Sequence, residues 1–208
     1  MHKSLIALAA LLLPFPAFAA STPAEKNMAA TVAAEASRQE ALLERLVNIN
    51  SGSLNLPGVT KVGEMMRAEL APLGFDVAWI DMTKTGRAGH IVATHRGNGR
   101  GKRVLMIGHL DTVFEPDSPF QRYAKAGTTA TGPGTSDDKG GLVVIIGALR
   151  AMQAAGTLKA ADIKVVLTGD EERTGAPLAD ARADLIAALK SRGRLPFAQN
   201  NYFTSAAG

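Results

Sequence analysis

The stretch "IKVVLTGDEERTG", Ile163 to Gly175, decides how the chain is read. Ile163 to Leu167 is short, mostly apolar and rich in β-branched residues, and Gly169 closes it. Such a run reads as a buried strand. Three consecutive acids follow at once, Asp170, Glu171 and Glu172. In open α/β sheets, polar function collects at the carboxyl ends of the strands.

The pattern recurs upstream. Val104 to Ile107 is a second short apolar run, predicted as a strand of the buried kind, and it leads into "GHLDTV", Gly108 to Val113. A third polar cluster, "GPGTSDDKGG" (Gly132 to Gly141), opens a long apolar helix predicted over Asp138 to Ala155. Residues 21–27 read as a polar lead-in. Helical periodicity covers about Met28 to Asn50, with Leu42, Leu43, Leu46, Val47 and Ile49 on one face, and then Thr60 to Leu73, stopped by Gly74. "NSGSLNLPG" reads as the loop between them. Phe75 to Asp81 and Gly89 to His95 form a predicted hairpin, and Pro177 to Lys190 is helical. Helices alternating with apolar strands predict an α/β fold, a mixed sheet flanked by helices.

Composition narrows the function classes. With 46% hydrophobic residues in 208, the chain can build a core and is not a disordered segment. The formal charge is +4, but the one dense basic stretch, "HRGNGRGKR" (His95 to Arg103), has no interleaved aromatics. It reads as a solvated turn, so no nucleic-acid partner is expected. At the N-terminus, Lys3, the apolar run Leu5–Leu13 and the small-residue site Ala17-Phe18-Ala19 have the layout of a cleaved export signal over residues 1–19. A periplasmic or secreted location follows as the expectation, without a membrane anchor after cleavage. There is no Cys, so any metal site must use His, Asp and Glu, and a thiol nucleophile is excluded.

Each polar cluster has two readings. His109 and Asp111, two apart on an extended segment, point the same way. They form either a surface hydrogen-bonded pair or an imidazole whose carboxylate partner frees its other nitrogen for a metal. Asp137 and Asp138 supply either a helix N-cap or a metal-bridging carboxylate. One cap needs one acid, so the pair is an excess. Asp170, Glu171 and Glu172 are either a solvated acidic turn or ligands, and they repel one another unless a cation sits among them. Arg173 is the nearest in sequence. A nucleotide-binding reading fails because "GRGKRV" lacks the leading Gly and the Ser/Thr that should follow Lys102, and no GxSxG elbow is present.

Taken together, "HLDTV", "GPGTSDDKGG" and "TGDEERTG" resemble the motifs of the M20 family of metallopeptidases, in particular its bacterial glutamate carboxypeptidases. The likeness runs from about Glu40 to Ala188. It implies a zinc-peptidase catalytic domain over residues 20–188 with two zinc ions, cobalt or manganese being alternatives. By the same resemblance His109, Asp137 and Glu172 would be metal ligands, with Asp137 bridging and a cis peptide between it and Asp138. Asp111 would orient His109, and Glu171 would act as general base. The substrate would be a small peptide or an N-acyl amino acid.

Members of the family also carry a further acidic ligand, a C-terminal His ligand and an inserted domain through which they form homodimers. After Asp184 the sequence has no Asp, Glu or His. Residues 189–208 therefore read as an aberrant tail, as in a truncated or frameshifted frame without the dimerisation domain. The expectation for such a chain is loose metal binding and impaired activity.

Overall fold

A computed structural model describes residues 20–100 and 103–190. Residues 1–19, read above as an export signal, and residues 191–208 of the expected tail lie outside the described residues. Helix α1 (Pro23–Ala34) begins earlier than its polar sequence suggests, because Thr22 and Glu25 form a reciprocal capping box. Helix α2 (Ala36–Val47) is separate from it. The periodicity across Met28–Asn50 hides this break at Glu35, whose carboxylate is drawn to Arg150 by two contacts of 2.6 Å. On α2, Leu42, Leu46 and Val47 are buried, as the apolar face predicts. Helix α3 (Leu56–Leu70) starts inside the expected loop, capped by the Asn55 side chain, and a short 3-10 turn ends at Gly74 with φ 85°.

The sheet has the order β1-β2-β6-β3. Strands β1 (Asp76–Asp81) and β2 (Gly89–His95) form the expected antiparallel hairpin. β2 also pairs antiparallel with β6 (Asp162–Thr168), and β6 runs parallel to β3 (Arg103–His109). The sheet is therefore mixed. β6 lies between two neighbours and its residues from Val165 to Thr168 are all buried, whereas β3 is an edge strand with Ile107 exposed. The reading of Val104–Ile107 as a buried strand is corrected on this point. A small hairpin, β4 (Ala124–Ala126) and β5 (Thr129–Thr131), lies apart from this sheet.

Helix α4 (Lys139–Ala154) completes the crossover from β3 to β6 and packs on β3, while α1 and α2 pack on α4 and α3 packs on β1 and β2. Leu142, Ile146 and Leu149 of α4 meet Leu46, Met66, Ile91, Val165 and Leu167 in one core. Fully burying each such side chain contributes about 1.5–3 kcal/mol. Residues 177–190 form two helices, α5 (Leu178–Ala181) and α6 (Ala183–Lys190), parted at Arg182. Among the described residues no helix is long and apolar enough to cross a membrane.

The register positions the site. His109 is opposite Thr168 in the parallel β3–β6 pair, and the Leu110 amide donates to the Thr168 carbonyl at 2.7 Å. The segments leaving these two strands, 110–113 and 169–175, therefore emerge side by side.

Candidate metal centre

His109 is the last residue of β3 and is almost fully buried. Its Nδ1 lies 3.3 Å from Asp111 Oδ1 and 3.2 Å from the Asp111 carbonyl. Its Nε2 lies 2.9 Å from Asp137 Oδ1. Burial alone would disfavour the imidazolium, but the carboxylates of Asp111 and Asp137 outweigh it and hold the metal-free His109 at about 9.

Asp111 is completely buried and links every part of the site. Ser53 Oγ donates to its Oδ2 at 2.6 Å, and the Glu171 and Glu172 amides donate to Oδ1 and Oδ2, each at 3.1 Å. Burial pushes this carboxyl up. The His109 bond, the Ser53 hydroxyl and the amide donors reverse that and leave it below its ordinary value. Ser53 is a member of this network that the sequence motifs do not single out.

Asp137 and Asp138 are joined by a cis peptide and have opposite duties. Asp137 is open to solvent and reaches His109 Nε2. Asp138 occupies the N-cap position of α4, yet its side chain caps nothing. Its Oδ2 instead accepts the His109 amide at 3.1 Å. A Cβ at Gly141, or at Gly108, would run into this carboxylate, so glycine at both positions admits it. Burial keeps the Asp138 carboxyl above its usual range, against the lowering effect of the His109 amide bond and charge and with a smaller push from the Asp137 and Glu171 charges.

Lys139 follows. It is wholly buried, and its Nζ donates to the Ile49 carbonyl at 2.8 Å, tying the start of α4 to the α2–α3 loop. Burial depresses its amine to about 8.

The loop after β6 carries the remaining acids. Glu172 faces His109 and Asp137, and burial and the nearby Asp137 charge raise its carboxyl. Glu171 is exposed next to it. Asp170 is turned away and fully buried against Arg182, with Nη1 to Oδ1 at 2.5 Å. The cation among the three acids is thus Arg182. Arg173, the neighbour in sequence, does not fill that place.

Ligand atoms of His109, Asp137 and Glu172 all lie within 4.8 Å of one another. An imidazole nitrogen and two carboxylates suit zinc or another divalent cation. The His109 Nδ1 side is already occupied by Asp111, which leaves Nε2 as the donor. The residue set fits a cation.

The site thus gathers a histidine from the end of β3, an aspartate from the turn before α4 and a glutamate from the loop after β6 on one mixed α/β layer. Residues 105–197, the portion that bears the site, match the model of peptidase family M20/M25/M40. The chain is 36% identical over 140 residues to carboxypeptidase G2 of Pseudomonas sp. strain RS-16, covering 63% of this chain and 32% of that protein. It is 27% identical over 164 residues to succinyl-diaminopimelate desuccinylase of Delftia acidovorans, covering 73% of this chain and 41% of that protein. Human carnosine dipeptidase 1 superposes with a TM-score of 0.67 at 20% identity, over 80% of this chain and 38% of that one, a likeness of fold. The chain spans well under half the length of each of these three relatives.

Proposed function

We propose that the chain carries the first part of a zinc-dependent exopeptidase site of the glutamate carboxypeptidase kind. The substrate would be a small peptide or N-acyl conjugate that loses its C-terminal amino acid. The observation that carries this reading is the convergence of His109, Asp137 and Glu172, with Glu171 next in the chain. The 36% identity to a carboxypeptidase supports that substrate class over the dipeptides named for the structural neighbour. Desuccinylase chemistry is the nearest alternative and would use the same residues.

His109 Nε2, Asp137 and Glu172 would hold the cation. Bound there, it would polarise the scissile carbonyl and acidify a water. Glu171 is solvent-facing and its main chain is held by Asp111. Its carboxylate would take the proton from the attacking water and pass it to the leaving amine. Asp111 would keep a proton on His109 Nδ1 so that Nε2 stays a donor to the metal. The leader-like segment at residues 1–19 supports export and action in the periplasm or outside the cell.

The test is metal content. Purified chain is dialysed to equilibrium against zinc and its bound metal is measured by mass spectrometry beside Asp137→Ala. More zinc on the parent than on the variant is expected, at the weak affinity of an incomplete ligand set. Equal zinc in both would sink the site assignment. Release of glutamate from an N-acyl-glutamate is the companion assay for substrate class.

A further inference from the structure

We infer that Arg182 is a positioning residue that belts the loop bearing Glu171 and Glu172, holding both ends of that loop so that the two carboxylates stay aimed at His109. The inference rests on the metal-site reading for its purpose, but its geometry stands apart from it.

One guanidinium closes the loop. Arg182 Nη1 meets Asp170 Oδ1 at 2.5 Å, before the two site acids. Nη2 donates to the Asp170 carbonyl at 3.1 Å and to Thr174 Oγ1 at 2.9 Å, beyond them. The Gly175 amide donates to Asp170 Oδ2 at 2.8 Å, so the loop is drawn together at residues 170 and 174–175. Behind it, His90 Nδ1 accepts the Gly169 amide at 3.0 Å, and its Nε2 faces the Ala181 carbonyl at 3.1 Å, next to Arg182 in the chain. Arg182 sits at the break between α5 and α6, where its backbone leaves the helical region (φ −116°, ψ 6°).

With its ends fixed, the loop has two further polar anchors among the described residues, Arg87 and Asp111. Arg87 donates to the Arg173 and Thr174 carbonyls, and Asp111 accepts the Glu171 and Glu172 amides and also abuts His109. Arg182 therefore acts on Glu171 and Glu172 through the loop's main chain and touches neither carboxylate. A lysine at this position could still neutralise Asp170. It could not span to Thr174 and the Asp170 carbonyl at once, because it lacks the planar fork.

The experiment compares the parent chain with Arg182→Lys and Thr174→Val, each metal-free and cobalt-loaded. Arg182 is about one-fifth exposed and lysine keeps the charge, so Arg182→Lys is expected to fold with an unchanged far-ultraviolet spectrum. Amide hydrogen exchange at residues 171, 172 and 175, read without metal, should be at least about 10-fold faster in Arg182→Lys, with a smaller rise in Thr174→Val. Cobalt affinity should drop about 10-fold or more, as for other residues that orient ligands, with a shifted visible d–d spectrum. Unchanged exchange and an unchanged cobalt spectrum in Arg182→Lys would overturn the belt. A parent chain that takes up no cobalt would count against the metal site, and the exchange rates alone would then decide for or against the belt.

Discussion

The corner at Asp137–Asp138 and the loop at Asp170–Glu172 both set consecutive carboxylates beside His109, and they restrain them by different means. In each, one acid turns away from the site and fastens backbone. Asp170 does so as a fully buried anion met by a guanidinium. Asp138 does so without a guanidinium, by accepting one amide in a pocket cleared by glycines. Adjacent like charges are thus kept apart by giving them unlike jobs. The buried acid with a cation should matter more to stability than the one with an amide, because it strands a charge when it is lost.

The largest difference should appear on deleting the turned-away acids. Asp170→Ala removes the partner of Arg182 and the acceptor for Gly175, and should cost about 3 kcal/mol or more in urea unfolding. A loss under about 1 kcal/mol would break the comparison. The next effect concerns the histidine between the corners. In metal-free chain its pKa is raised from 6.5 to about 9. Its contribution to stability should be complete below about pH 6.5 and should be lost as the pH rises through about 9. Melting temperatures in chelator across that window, for the parent and His109→Gln, check this; a parent as flat as the variant would remove the ion pairing from the account. The smallest effect should be Asp138→Asn, which keeps an oxygen to accept the His109 amide and sheds a burial-disfavoured charge. A change of no more than about 1 kcal/mol in the same urea titration is expected. A loss matching that of Asp170→Ala would mean the two regions are built alike.

The parts of this arrangement that the sequence shows are the parts that depend on near neighbours. The ends of β3 and β6 stand out because an apolar run stops at a charged cluster, and His109, Asp137 and Glu172 lie in those clusters. Long-range choices are invisible. Nothing in Val104–Ile107 says that it is an edge, since a mainly apolar four-residue run looks alike at the edge and the centre. Arg173 adjoins the acids in the chain, yet it is Arg182, twelve residues beyond Asp170, whose guanidinium meets that carboxylate. The β4–β5 hairpin has strands of only three small or polar residues, Ala-Lys-Ala and Thr-Ala-Thr, too short and too little apolar to mark a buried face. It is tied to α2 by Tyr123 and Lys125, which both reach Glu40. Asp138 resembles a cap in sequence and occupies the cap position, but only coordinates reveal that its carboxylate serves His109.

The buried Lys139 gives this corner a chemical reporter. Its amine is out of reach of water while Ile49 holds it, so an amine-directed acylating reagent should modify it only in molecules whose α2–α3 loop has let go. Mass-spectrometric counting of acylated Lys139 against time would then record how often the segment that presents Asp137 opens. The exposed lysines in the same spectrum would serve as an internal clock.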